Sequence, residues 1–233
     1  RQRQMCIRDS ISSKVLENDI SGLTLEINGH EMTSRLVGRF NAYNLLVAFA
    51  VGKYLGQDEL SLLTILSSVK APQGRFEYFL SDHKITAVID YAHTPDALEN
   101  VLKTLLDLKK GTEKLITVFG CGGNRDKGKR PLMGEIASRL SDQVLITSDN
   151  PRNEDPDSII NEIYHGVPSV LKEKVFTVTD RMEAIEMACK MASAGDVILI
   201  AGQGHENYQI IGNESLHFDD MENTIHIFKK LKK

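Results

Sequence analysis

The apolar positions of this chain follow two periods, and the change between them organises the reading. Between residues 14 and 37 they alternate. Leu23, Leu25 and Ile27 are separated by polar residues, the period of a half-buried strand. Asn28-Gly29 then supplies a hairpin turn, with Met32 to Val37 returning. From Gly38 the period lengthens: Leu45, Leu46, Ala48, Phe49 and Leu55 line one face of a helix that Gly56 ends. A second helix is expected from Asp58, a suitable N-cap, to about Val69. Ala71-Pro72-Gln73-Gly74 breaks the pattern and is the expected domain boundary. Residues 11–72 then hold a hairpin and two helices, fewer elements than a complete domain needs. Residues 1–10 match neither period and stay unassigned, as a disordered end or a sequence-junction artefact.

After Gly74, short β-branched runs alternate with helical segments. The runs are Ile85 to Ile89, Leu115 to Phe119, Val144 to Thr147, Val175 to Val178 and Val197 to Ala201. Pro95 to Leu108, Pro131 to Leu140, Asp157 to Tyr164 and Asp180 to Ala192 are the expected helices. This alternation predicts an α/β fold with a Rossmann-like, mostly parallel sheet covered on both faces. Ile210-Ile211 and Leu216 to Phe218 flank Gly212-Asn213 and are expected to add an antiparallel edge as a hairpin. A last helix, about Met221 to Lys230, should turn Ile225 and Phe228 inward.

Composition narrows the function classes. The 233 residues are 41% hydrophobic and 26% charged, ordinary for a globular protein, and the net charge of −4 gives no reason to expect nucleic acid or a membrane surface. Three widely spaced cysteines, Cys6, Cys121 and Cys189, suit a reducing compartment. Arg1-Gln2-Arg3-Gln4 is not followed by an apolar core, and no run approaches a membrane span. A cytoplasmic location is expected.

Candidate chemistry gathers after the strands. The first run ends in Asp90-Tyr91-Ala92-His93-Thr94-Pro95-Asp96, the second in a loop from Gly120 to Pro131, the third in Asp149-Asn150-Pro151-Arg152, and the last in Gly202-Gln203-Gly204-His205-Glu206. In an open parallel sheet all of these lie on the carboxyl edge, where ligands bind. Each alone is equally well a solvated turn. Gly120, Gly122 and Gly123 suggest a dinucleotide fingerprint, but Arg125 occupies its third glycine position. No Gly-Lys-Ser/Thr phosphate loop follows. The loop instead offers backbone N–H groups with Arg125, Lys127, Lys129 and Arg130, suited to an anion. Metal spacing is absent around His93 and His205. Cys121 reads as a small buried thiol more readily than as a nucleophile.

These motifs, together with Gly38-Arg39-Phe40-Asn41-Ala42-Tyr43-Asn44 and Gln73-Gly74-Arg75-Phe76-Glu77, resemble the Mur ligases over about residues 15–230. The likeness is greatest to the members that add diaminopimelate. The resemblance implies that residues 11–72 are the end of the central, ATP-binding domain and residues 73–233 the amino-acid-binding domain. The phosphate loop, a carbamoylated lysine, the catalytic residues and most ligands of Mg2+ would lie outside this chain, which alone is expected to be inactive. The implied reaction is ATP-dependent amide formation through an acyl phosphate in peptidoglycan precursor synthesis. It would join meso-diaminopimelate to UDP-N-acetylmuramoyl-L-alanyl-D-glutamate. The enzyme is expected to be a monomer with small-molecule substrates only.

Carried over by position, Asn44, Arg75, Asp90 and His93 fall on ATP. Arg125, Asp149, Asn150, Pro151, Arg152, Gly202 and Glu206 fall on the amino acid. A fork-shaped cation at Arg152 can grip the far carboxylate of diaminopimelate while Glu206 holds its far ammonium. Lysine lacks that carboxylate, and family members that add lysine carry a small or neutral residue where Arg152 stands. Gln203 departs from the family's usual Gly-Lys-Gly-His-Glu. Another ligase of the superfamily, of the folylpolyglutamate synthase kind, and a non-catalytic amino-acid-binding module are the alternatives.

Overall fold

The computed structural model describes residues 4–7, 11–109 and 111–233. The chain divides into two compact units, Arg1–Ala71 and Pro72–Lys233.

The first unit is an antiparallel meander of β1 (Gln4–Ile7), β2 (Ile11–Asp19), β3 (Gly22–Ile27) and β4 (His30–Ser34), followed by α1 (Arg39–Tyr54) and α2 (Glu59–Ser68). Leu23, Leu25, Ile27 and Met32 are buried against Leu45, Leu46 and Phe49 of α1 and Leu63 and Leu66 of α2. Asn28 and Gly29 both have positive φ, at 50° and 83°, as a type I′ hairpin turn requires. Asp58 caps α2 by accepting from the Ser61 N–H at 2.9 Å. The single hairpin expected here is thus part of a four-stranded sheet. β2 is mostly half-buried and carries a register shift between Val15 and Glu17, so no clean alternation announces it. Within the unassigned residues 1–10, Gln4–Ile7 pairs with β2; residues 1–3 and 8–10 lie outside the described residues.

In the second unit a six-stranded sheet has the order β5-β6-β10-β7-β8-β9. Its strands are β5 (Glu77–Leu80), β6 (Thr86–Asp90), β7 (Leu115–Phe119), β8 (Gln143–Ile146), β9 (Val175–Thr177) and β10 (Val197–Ala201). β6 to β10 are mutually parallel and β5 is antiparallel to β6. The helices are α3 (Pro95–Leu108), α4 (Lys129–Leu140), α5 (Pro156–His165), α6 (Arg181–Met191) and α7 (Asp220–Leu231). The chain crosses the sheet in one direction from β6 to β9, then reverses to place β10 between β6 and β7. Right-handed crossovers therefore put α3, α4 and α5 on one face and α6 on the other. The packing agrees: α4 touches both α3 and α5, while α6 packs on α7. Ala87, Ile89, Ile116, Val118, Leu145, Ile198 and Ile200 join Ile185, Ala188 and Phe228 in one buried cluster. The intervening buried residues, such as Val88, Leu199 and Phe119, point to the opposite face.

Three expectations change. The antiparallel edge of the sheet is β5, not the C-terminal hairpin. β11 (Tyr208–Ile211) and β12 (Glu214–His217) form their own two-stranded sheet, tethered by a bridge between Arg152 and Ile211. In α7, Thr224, Ile227 and Phe228 are the buried positions, and Ile225 is only half-buried. α4 also begins two residues before Pro131, which brings Lys129 and Arg130 into its first turn.

Candidate functional site

The reversal at β10 brings the ends of β6, β10, β7 and β8 together at the carboxyl edge, and their loops interlock. Two glycines are required by close approach. At Gly123 a Cβ would lie 1.9 Å from the Pro151 carbonyl oxygen, and at Gly202, with φ +119°, 2.6 Å from Asp149 Oδ2. The first seats the β7 loop on the β8 loop, and the Gly123 N–H donates to the Asn150 carbonyl at 2.9 Å. The second sets the Asp149 carboxylate against the backbone that leaves β10.

Around this junction the structure assembles the residues expected on the amino acid. Asp149, Asn150 and Pro151 are buried and Arg152 is half-buried. Asn150 Nδ2 donates to Glu206 Oε2 at 2.8 Å, while its Oδ1 accepts the Ile210 N–H at 2.7 Å. β11 is held further by Gln209 Nε2 donating to the Asp149 carbonyl at 2.6 Å, and the Arg152 N–H donating to the Ile210 carbonyl at 3.0 Å. Arg152 has φ 53°, and its Nη1 donates to the carbonyls of Gly123 at 3.1 Å and Asn150 at 3.2 Å. A Cβ on Gly122 would lie 2.9 Å from Arg152 Nη1 and 3.6 Å from Arg125 Cγ, so both arginines flank that glycine. Arg125 is exposed and has no polar partner among the described residues.

The residues expected on ATP divide by unit. Arg75, Asp90 and His93 surround Tyr91. The His93 ring centroid is 4.6 Å from that of Tyr91, and the Arg75 guanidinium is 5.5 Å above it. The Asp90 carboxylate accepts the Phe76 N–H at 2.8 Å, and burial raises its pKa despite that bond. Asn44 lies on α1 in the first unit, exposed, with its amide donating to Asn41 Oδ1 at 3.1 Å.

The basic loop differs from its reading as an anion site. Arg130 is fully buried and grips both oxygens of Glu154, at 3.0 and 3.1 Å, and Glu162 at 2.7 Å. Lys127 joins the same carboxylates, and Lys129 Nζ donates to the His93 carbonyl at 2.6 Å. Arg130, then the Asn124 N–H, lower the Glu154 pKa to about 2. Of the four cations only Arg125 stays uncommitted; the rest fix the loop. Cys121 is an inert thiol, buried against Met133 and pushed up to about 12 by desolvation. Gln203 is fully buried, and neither amide atom has a partner among the described residues. A neutral amide costs less in such a place than a lysine ammonium would.

Sequence reasoning gave no role to Tyr91 or to the buried pair Arg181–Asp220, and it read Arg130 as an anion ligand where the structure pairs it with Glu154 and Glu162. A signal existed for Arg181. It follows the expected N-cap Asp180 in the first turn of a helix, where the dipole disfavours a cation, so it needs a compensating carboxylate.

Comparison with known proteins gives three findings. A family model described as Mur ligase, glutamate ligase domain, matches residues 74–204. Proteins named UDP-N-acetylmuramoyl-L-alanyl-D-glutamate–2,6-diaminopimelate ligase are similar. The one from Cytophaga hutchinsonii is 52% identical over 207 residues, covering 89% of this chain and 42% of the relative. The one from Parabacteroides distasonis is 50% identical over 215 residues, covering 92% and 44%. A solved structure carrying the same enzyme name superposes with a TM-score of 0.71 at 37% identity, covering 93% of this chain and 45% of that one. The chain therefore spans less than half the length of these relatives. The folylpolyglutamate synthase of Thermotoga maritima, at 21% identity and TM-score 0.65, shares the fold over 83% of this chain and 44% of its own.

Proposed function

We infer the function from one premise: this chain belongs to the Mur ligase family, whose glutamate ligase domain it carries over residues 74–204. We propose that it is the amino-acid-selecting part of an ATP-dependent ligase joining meso-diaminopimelate to UDP-N-acetylmuramoyl-L-alanyl-D-glutamate in cytoplasmic peptidoglycan precursor synthesis. In this reading residues 73–233 are the amino-acid-binding domain and residues 11–72 the end of the ATP-binding domain. The exposed apolar positions of α1, Tyr43, Val47, Val51 and Tyr54, support further chain packing on the first unit. Among the described residues no helix is long and apolar enough to cross a membrane.

The observation that carries the reading is that Asn150 contacts both charges: its carbonyl accepts from Arg152 and its side-chain amide donates to Glu206. Diaminopimelate has two zwitterionic heads. The head that does not react needs a cation for its carboxylate and an anion for its ammonium, at one place. Arg152 and Glu206 supply them, and the Arg125 side chain leaves from the other side of Gly122. The chain's part in catalysis is approximation. Held by its far head, the diamino acid presents its near amine to an acyl phosphate made by the other domains. Arg75, Asp90 and His93 would face ATP on the same edge. Among the described residues no group of His, Cys, Asp or Glu converges as a metal requires. A magnesium ion accompanying ATP would take its ligands from the phosphates and from residues outside this chain.

The test is phosphate release by a complete protein carrying this segment, supplied with the UDP-linked dipeptide and each amino acid in turn. meso-Diaminopimelate should support turnover, and the 233-residue chain alone should support none. A preference for L-lysine, or turnover by the chain alone, overturns the proposal.

A further inference from the structure

Glu206 is fixed before any ligand arrives. Each of its carboxylate oxygens accepts one hydrogen bond, Oε2 from Asn150 Nδ2 at 2.8 Å and Oε1 from the Tyr91 hydroxyl at 3.2 Å. The donors come from the ends of β8 and β6, so the carboxylate is braced from two sides. An ionised carboxylate has about four acceptor positions; two are used here and the others remain for a cation.

Tyr91 is itself held. Its ring lies against His93 at 4.6 Å and His205 at 5.0 Å between centroids, with Arg75 over it at 5.5 Å. The Gly204 backbone closes the near side, where a Cβ would sit 2.6 Å from Tyr91 Cβ. These contacts hold the ring with its hydroxyl toward Glu206. Burial, and then the Glu206 charge, raise the Tyr91 pKa above its ordinary value, so the hydroxyl stays a protonated donor.

We propose that Tyr91 is a positioning residue that holds the Glu206 carboxylate for the distal ammonium of the diamino acid, an inference that rests on the site reading above. The chemistry explains the residue type. An arginine or lysine at this place would orient Glu206 but also neutralise it, competing with the ligand's ammonium. A phenol orients the carboxylate and leaves its full negative charge for the ligand. It also removes glutamate rotamer freedom that binding would otherwise have to remove.

Calorimetry on the 233-residue chain tests this with two ligands and one variant. Tyr91→Phe keeps the ring and deletes only the hydroxyl. meso-Diaminopimelate carries the distal ammonium; L-2-aminopimelate has both carboxylates but not that ammonium. The variant should bind diaminopimelate about 10-fold more weakly, the scale of ordering one rotamer-rich side chain on binding. Its affinity for 2-aminopimelate should stay within about 2-fold of wild type on the same argument. The ratio of the two affinities on one sample is independent of any unfolded fraction. Equal losses for both ligands would make Tyr91 merely structural and overturn the inference, as would no loss for either. A wild-type chain that binds neither compound overturns the site reading, and this inference with it.

Discussion

Arg152→Ala is expected to weaken meso-diaminopimelate binding about 100-fold, as the loss of a charge-assisted, bidentate grip worth about 3 kcal/mol. In this structure Arg152 Nη1 bonds to two backbone carbonyls, while Nε and Nη2 have no partner among the described residues. The fork is therefore anchored at one corner with donors to spare, as recognition of a carboxylate requires. Arg152→Lys should recover little, because an ammonium cannot reproduce two parallel bonds from a planar group. A third variant separates binding from folding. Arg152 has φ 53°, a left-handed conformation that costs a non-glycine residue about 1 kcal/mol. Arg152→Gly should fold at least as stably as wild type and still lose the ligand. In a complete enzyme the KM for ATP should be nearly unchanged by all three. An equal rise in both KM values would place Arg152 outside amino-acid selection.

The largest stability loss is expected at the pair beneath the site. Arg181 donates through Nε to Asp220 Oδ1 at 2.8 Å and through Nη2 to Oδ2 at 2.7 Å, with both side chains fully buried. Nη2 also donates to the Ala201 carbonyl at 3.1 Å, and Nη1 to that of Ser148 at 3.4 Å. Ala201 and Ser148 immediately precede Gly202 and Asp149, so one guanidinium ties the roots of both loops of the proposed site to α7. Burial alone would depress the Arg181 pKa, but the Asp220 charge and bonds, with the Asp149 charge, hold it above the ordinary arginine value. Asp220→Ala leaves a cation in the interior with no carboxylate partner and should cost about 3–5 kcal/mol. The denaturant midpoint measures it. Replacing both residues by apolar side chains of similar volume should recover most of that loss, since the pair itself contributes little net stability. The orphaned carbonyls of Ser148 and Ala201 would keep the double variant below wild type. A loss under about 1 kcal/mol for Asp220→Ala would mean that the pair is not the buried clamp described.

How far the chain could be read in advance depended on whether each signal was local. α3 runs from Pro95 to Leu108 as its proline start and apolar spacing indicate, and the five parallel strands coincide with the β-branched runs to within a residue or so. Local chemistry also placed the strand-end clusters, because a parallel sheet sends every carboxyl end to one edge. β5 escaped because four residues with alternating half-burial carry almost no pattern, and its partner β6 follows only after a turn. The hairpin of β11 and β12 was found, but its attachment was not. Its docking on the loop after β8 runs through Asn150 Oδ1 and the Arg152 backbone, contacts between residues about sixty positions apart. The same limit applies to charge. Nothing in the string Lys127-Gly128-Lys129-Arg130 tells a solvated cation from one committed to Glu154 and Glu162.

The central claim is that the edge built by Asp149 to Arg152 and Glu206 selects a diamino acid with a carboxylate at its far end. The most direct measurement is calorimetry of the wild-type 233-residue chain with meso-diaminopimelate and with L-lysine, which differ by that far carboxylate. Diaminopimelate should bind at least about 100-fold more tightly, since lysine would leave the Arg152 fork unpaired. Equal affinities, or tighter binding of lysine, would contradict the account.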